Sequence, residues 1–173
     1  MDIEARYWSE PGPTGLFTRL TRVGLLLDAS QHRCFDPLGL LFIDYSVLRL
    51  LQLAGVPYRM SPTELSEIVL RSSGGMTQIL DRVERAGFVA RAADPTDRRK
   101  VLVGLTPEGL RTAELANARY AAERERLLGP LAAVEVEGVD QAVHRLLELL
   151  GGDADGTAAP LPAGVAPNPG RGP

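Results

Sequence analysis

Two clusters of polar side chains carry the chemistry that this sequence could do. The first is Arg71-Ser72-Ser73-Gly74-Gly75, followed by Thr77, Gln78 and Arg82. The second is Asp97-Arg98-Arg99, inside the turn-rich run from Asp94 to Arg99. Hydroxyl and amide groups on the first turns of a helix can hydrogen-bond base edges in a DNA major groove. Glycine at such a place costs roughly 1 kcal/mol relative to alanine, and it lets another backbone come close. The N–H groups exposed there can also bond phosphate. An arginine pair on a hairpin tip suits a minor groove, with the neighbouring carboxylate as a brace.

Other chemistries find no support in the spacing. His32 and His144 have no paired Cys or His near them, so no metal site is expected. Nucleophilic triads, phosphate loops and dinucleotide motifs do not occur, so neither an enzyme nor a cofactor is expected. The single cysteine, Cys34, excludes an internal disulfide and fits a reducing cytoplasm. No apolar run approaches the roughly 18–20 residues of a membrane span, and the start Met1-Asp2-Ile3-Glu4 does not read as a signal peptide.

Net charge is −3, which by itself argues against a nucleic-acid partner. Its distribution permits one. From Arg59 to Lys100 there are eight basic and six acidic residues, +2, which leaves −5 for the rest of the chain.

The elements that must hold the two clusters are marked by caps and periodicity. Residues 1–13 read as a loose arm. Leu16, Phe17, Leu20, Val23 and Leu27 give a helix over 14–34, and a nearly all-apolar helix follows over 40–54. Ser61-Pro62-Thr63-Glu64 is a capping box with proline at the first helical position, opening a short helix to about Leu70. Ser72 caps the next helix, which closes at Gly87 and turns Met76, Ile79, Leu80 and Val83 inward. Gly74, Thr77, Gln78, Asp81, Arg82 and Arg85 are then expected to face out. Strands over 88–91 and 100–105 flank the charged turn. Thr106-Pro107 opens a helix to about 128, and a last helix spans 137–150. After Gly151 the residues are mostly Gly, Ala, Pro and Asp, so 151–173 are expected to be disordered.

Helix, turn, helix and β-hairpin in this order make a winged helix-turn-helix, mainly α with a small β-hairpin wing (α+β). Fold alone does not separate a DNA-binding lobe from a protein-interaction module. The glycine-rich helix start and the arginine-tipped wing favour double-stranded DNA.

The run Ser61-Pro62-Thr63-Glu64-Leu65, Ser72-Ser73-Gly74-Gly75-Met76-Thr77, Leu80 to Gly87, Asp94 to Arg99 and Leu105 to Gly109 resembles the MarR family signature. The resemblance implies a homodimer built from an N-/C-terminal helical dimerisation region, 14–54 with 106–150, and a DNA-binding lobe, 55–105. It implies DNA contacts from Arg71, Ser72, Ser73, Gly74, Gly75, Thr77, Gln78, Arg82, Asp97, Arg98 and Arg99. It also implies a repressor on a palindromic operator, released by a small aromatic or phenolic effector held between the helical region and the lobe. Trp8, Arg19, His32 and Asp44 are candidate effector contacts, each with a plain reading as a surface or packing residue.

The Gly-Gly-Met-Thr stretch is similar to a branch that includes urate-responsive regulators. That branch would have an acid near Ser46 and an arginine near Ile79; neither is read here, so urate is not carried over. Cys34 leaves a redox sensor as an alternative, although the family's peroxide-sensing branch has its cysteine nearer the start of that helix.

Overall fold

A computed structural model describes residues 3–97 and 99–151. Its elements are α1 (Ile3–Trp8), α2 (Gly12–Phe35), a 3-10 turn (Asp36–Leu38), α3 (Phe42–Leu53), β1 (Arg59–Met60), α4 (Pro62–Ile68), α5 (Ser73–Arg85), β2 (Val89–Ala93), β3 (Val101–Leu105), α6 (Pro107–Leu128) and α7 (Ala133–Gly151). The chain divides into two units, one up to Arg126 and one from Leu127.

In the first unit the local signals act as expected. Ser61 Oγ accepts from the Glu64 N–H at 3.2 Å, and Glu64 answers by accepting from the Ser61 N–H at 2.7 Å, so both ends of the capping box are closed. Ser72 Oγ accepts from the Gly75 N–H at 3.2 Å and starts α5. Gly87, at φ +79°, ends α5 in a left-handed turn, where the Phe88 N–H returns to the Val83 carbonyl. Thr106 then ties the next helix to this turn. Its hydroxyl donates to the Gly87 carbonyl at 2.7 Å and accepts from the Gly109 N–H at 3.0 Å. Only glycine fits at 109, since a Cβ would stand 1.8 Å from the Phe88 carbonyl oxygen.

The core gathers Val47, Leu48 and Leu51 of α3, Leu65 of α4, the inward face of α5, Val89, Val103, and Ala113 and Ala116 of α6. All four residues expected on that inward face, Met76, Ile79, Leu80 and Val83, are at most 6% exposed. At one side Phe35, Tyr45 and Tyr120 form an aromatic cluster, with Phe35 stacked on Tyr45 at 4.6 Å.

Several expectations are corrected. The arm contains a helix, α1, and α2 begins at Gly12. The chain folds back over Gly15, where a Cβ would meet the Glu10 carbonyl oxygen at 1.5 Å. The sheet has a third strand, in the order β1-β3-β2, because Arg59 and Met60 pair with Gly104 and Val103 on the free edge of the hairpin. Helix α4 stops at Ile68, since Leu70 adopts φ +51° to turn the chain into α5. The helix over 40–54, apolar nearly all round and so expected to be buried, leaves Phe42 and Leu53 exposed.

In the second unit, α7 starts four residues earlier than its periodicity suggests. The Glu135 side chain accepts from the Ala132 N–H at 2.8 Å and closes the helix start. Among the described residues no helix is long and apolar enough to cross a membrane. The tail expected to be disordered lies, beyond Gly151, outside the described residues.

Candidate nucleic-acid interface

Helix α5 turns its apolar face to the core and leaves Arg71, Ser72, Ser73, Gly74, Thr77 and Gln78 exposed, with Gly75 partly covered. The two glycines differ. A Cβ on Gly75 would meet Ser72 Oγ at 3.3 Å, so glycine there relaxes the cap. A Cβ on Gly74 would meet nothing within 4 Å. Among the described residues nothing asks for glycine at 74. Thr77 donates its hydroxyl to the Ser73 carbonyl at 2.9 Å, which leaves its lone pairs and methyl group for another molecule.

On the wing, Arg99 is 93% exposed, and its Nε lies 3.3 Å from Asp97 Oδ1. The same oxygen accepts from the Arg99 N–H at 3.1 Å. Asp97 therefore braces Arg99 from two directions, in line with the sequence expectation. Asp94 shapes the turn before it by accepting from the N–H and hydroxyl of Thr96, bonds that hold its carboxyl below the usual range. Arg98 lies outside the described residues.

Arg82 departs from expectation. Instead of facing out, its guanidinium turns back to α3. Nε donates at 3.0 Å to each oxygen of Asp44, and Nη2 lies 2.5 Å from Oδ1. Asp44 is 1% exposed, and its Oδ2 also accepts from the Leu41 N–H at 2.9 Å. A buried carboxylate with three such partners is satisfied. The pair anchors α5 to α3.

The four candidate effector contacts do not converge. Trp8 sits under the Arg22 guanidinium at 4.7 Å, beside a shallow pocket lined by Tyr7 and Phe17. Arg19 donates to the Glu10 carbonyl at 3.0 Å. Asp44 is engaged with Arg82. Of the four, only His32 lines a cavity of about 680 Å³ whose walls include Phe35, Phe42, Tyr45, Arg49 and Arg71. His32 bonds Asp36 at 3.0 Å, and that bond, with the charges of Asp36 and Asp28, raises its pKa. Sequence reasoning misses Arg49 and the aromatic wall of this cavity, because the pattern of α3 marks them only as helix. Cys34 is buried, and burial pushes its thiol up, away from the thiolate that oxidation needs. Among the described residues no cluster of His, Cys, Asp or Glu could hold a metal ion.

The MarR family profile matches residues 44–101. The chain is 33% identical to the HTH-type transcriptional repressor Rv2887 of Mycobacterium tuberculosis over 135 residues, covering 78% of this chain and 91% of that one. A crystal structure of a MarR point mutant from E. coli, complexed with operator DNA, superposes with a TM-score of 0.68 at 26% identity, covering 76% of this chain and 93% of the other. The structure of CouR from Rhodococcus jostii RHA1 bound to p-coumaroyl-CoA superposes with a TM-score of 0.64 at 26% identity, covering 82% and 93%. This chain belongs to the MarR family of DNA-binding transcription regulators.

Proposed function

We propose that the chain works as a homodimeric repressor that reads a palindromic operator and lets go of it when a small aromatic or phenolic effector binds. The observation that carries this reading is the open start of α5. Gly74 has no internal reason to be glycine, and Thr77 and Gln78 stand exposed beside it. In this reading Thr77 meets a base edge through its methyl group or a lone pair, and Gln78 bonds one directly. Arg71, Ser72 and Ser73 meet phosphate at the helix start. Arg99, braced by Asp97 and joined by Arg98, enters the minor groove. Arg82 holds the helix from behind.

The dimer is inferred from surface that one chain leaves open. Leu16, Phe17, Val23, Leu25, Leu26 and Leu27 of α2 are all more than 40% exposed. Residues 14–54 with 106–150 are assigned to dimerisation and 55–105 to the DNA-binding lobe, and two-fold symmetry asks for a palindrome. The effector is assigned to the 680 Å³ cavity, where an aromatic wall lies between Arg49, Arg71 and His32. A planar molecule with an acidic group suits that lining. Arg71 joins the cavity to the start of α5, so occupancy there can disfavour the DNA-binding geometry, provided the effector prefers the other one.

The test begins with the genomic fragments that the purified protein retains. On a selected operator, Gln78→Ala is expected to cost about 1–3 kcal/mol per half-site and to leave random duplex nearly unchanged. Arg99→Ala is expected to weaken both DNAs and to lower the slope of log K against log salt by about one for each phosphate no longer neutralised. Retention of no fragment above random duplex would end the operator reading. Equal losses for Gln78→Ala on both DNAs would mean that α5 grips backbone and reads no bases.

A further inference from the structure

The start of α5 and the wing tip belong to different elements, and little in β2 ties them together. Its sequence is Val-Ala-Arg-Ala-Ala, so Arg91 is the one long side chain in the strand. Arg91 pairs with Val103 in the ladder, and both side chains leave the sheet on the face where Val89 and Val103 are buried. There the guanidinium meets two carboxylates of α5. Nη2 lies 2.7 Å from Asp81 Oδ1, and Nη1 lies 2.7 Å from Glu84 Oε2. The backbone N–H of Arg91 donates to the other oxygen of Glu84 at 3.0 Å. Asp81 and Glu84 are three residues apart and share one face of the helix, so a single residue of the strand takes hold of two successive turns.

Side-chain exposures are 30% for Arg91, 45% for Asp81 and 36% for Glu84. Ion pairs this open to water add little to stability. Their geometric effect is large, because beyond Val89 only small alanines line the strand. The guanidinium also offsets one of the two negative charges on a helix that, in the proposed reading, approaches phosphate.

We propose that Arg91 is a positioning residue for DNA binding, a clamp that sets the spacing between the wing and the reading helix. This rests on the reading that α5 and the wing both touch DNA. In the clamped lobe Arg99 and the start of α5 reach their grooves together. Without the clamp the wing samples many angles, and the operator loses its advantage over random duplex.

Three full-length variants test this: Arg91→Ala, Arg91→Lys, and Asp81→Asn combined with Glu84→Gln. The last removes negative charge from the DNA face, so charge alone would tighten binding to any duplex. The clamp instead requires the ratio of operator to random affinity to fall about tenfold in both the Arg91→Ala and the Asn/Gln proteins, with partial recovery in Arg91→Lys. Hydroxyl-radical protection should weaken where the wing lies and persist where α5 lies. In the free protein, amide exchange of β2 and β3 should quicken, a readout that needs no DNA.

A ratio within about twofold of the parent in the Asn/Gln protein overturns the clamp, as does unchanged exchange in the wing. If Arg91→Ala fails to fold, Arg91→Lys and the Asn/Gln protein decide by the same two measurements. If the parent protein shows no preference for any operator, the DNA reading of α5 fails. Amide exchange still decides the clamp in that case.

Discussion

Helices α5 and α7 are both amphipathic, and the chain treats them in opposite ways. In α5 four large apolar side chains are almost fully buried by the chain's own core, and what remains in water is polar. In α7, Val134, Val139, Val143, Leu147, Leu149 and Leu150 are between 44% and 74% exposed, and no side chain described in it is buried. A helix whose apolar face is already covered has only its polar face to offer, and the partner it suits is polar, such as DNA. A helix whose apolar face is open needs another apolar surface, since exposed stripes of this size mark association sites. In one chain, then, α5 is finished as a folding unit and, in the proposed reading, open as a reading surface. Helix α7 is unfinished until something covers it, and in the proposed reading that is a second copy.

The largest effect expected from this contrast is on assembly. Burying one leucine is worth about 1.5–3 kcal/mol, so Leu147→Asp with Leu150→Asp should weaken self-association by about a hundredfold or more. Sedimentation equilibrium measures this directly. A double variant that stays as tightly dimeric as the parent would show that a second copy does not cover α7.

The next effect concerns how α5 is finished. Arg82→Ala and Asp44→Ala break the same pair, but they leave different remnants. The first strands a carboxylate that is 1% exposed, whereas the second frees a guanidinium that is already 40% exposed. Removing one partner of a buried pair costs about 3–5 kcal/mol. Arg82→Ala should lie in that range and Asp44→Ala below it, as read by denaturant midpoints. Equal losses would mean that Asp44 is reached by water once its partner goes.

A smaller effect sharpens the claim that the face of α5 is kept for another molecule. Gly74→Ala should stabilise the free protein by up to about 1 kcal/mol. It should also lower operator affinity by about tenfold, or about 1.4 kcal/mol. Thermal melts and titrations on one preparation give both numbers. A variant that gains stability and keeps its affinity would place the DNA elsewhere.

The smallest effect lies between α2 and α6. Glu123 accepts from Arg126, Ser30 and Arg33, and these bonds, with Arg126 foremost, hold its carboxyl far below its ordinary 4.5. A pKa lowered on folding stabilises the protein above the unfolded value and loses that contribution as pH falls toward the folded value. The melting temperature of Glu123→Gln should therefore start slightly lower at neutral pH and fall less steeply below about pH 4.5. Parallel curves for parent and variant would deny the network any role in acid stability.

These cases also show which features are legible before folding. The proline-led starts at Pro62 and Pro107, the caps at Ser61 and Ser72, the left-handed Gly87 and the inward face of α5 all follow from the sequence. Each depends on contacts within four or five residues, where residue type and spacing decide the geometry. The brace of Arg99 by Asp97 is legible for the same reason, being a contact between residues two apart.

What escapes the sequence runs across the fold. Helical spacing puts Arg82 outside the apolar stripe of α5, which is correct for its Cα. Spacing cannot show that a long side chain bends back to Asp44, 38 residues away. Arg91 likewise reads as an exposed strand residue until β3 sets its face and α5 brings two acids to it. Strand β1 exists only because β3 offers a free edge. The four candidate effector contacts share only their polarity among apolar helices, and the fold sends them to separate places. By itself the sequence determined the elements other than α1 and β1, their order, and the exposure of Ser73, Gly74, Thr77 and Gln78 on α5, because those follow from local sterics and periodicity. Only the tertiary structure decided which arginines stay free for another molecule and which hold the lobe together. The reach of a guanidinium exceeds a helical turn, and its partner is chosen by packing.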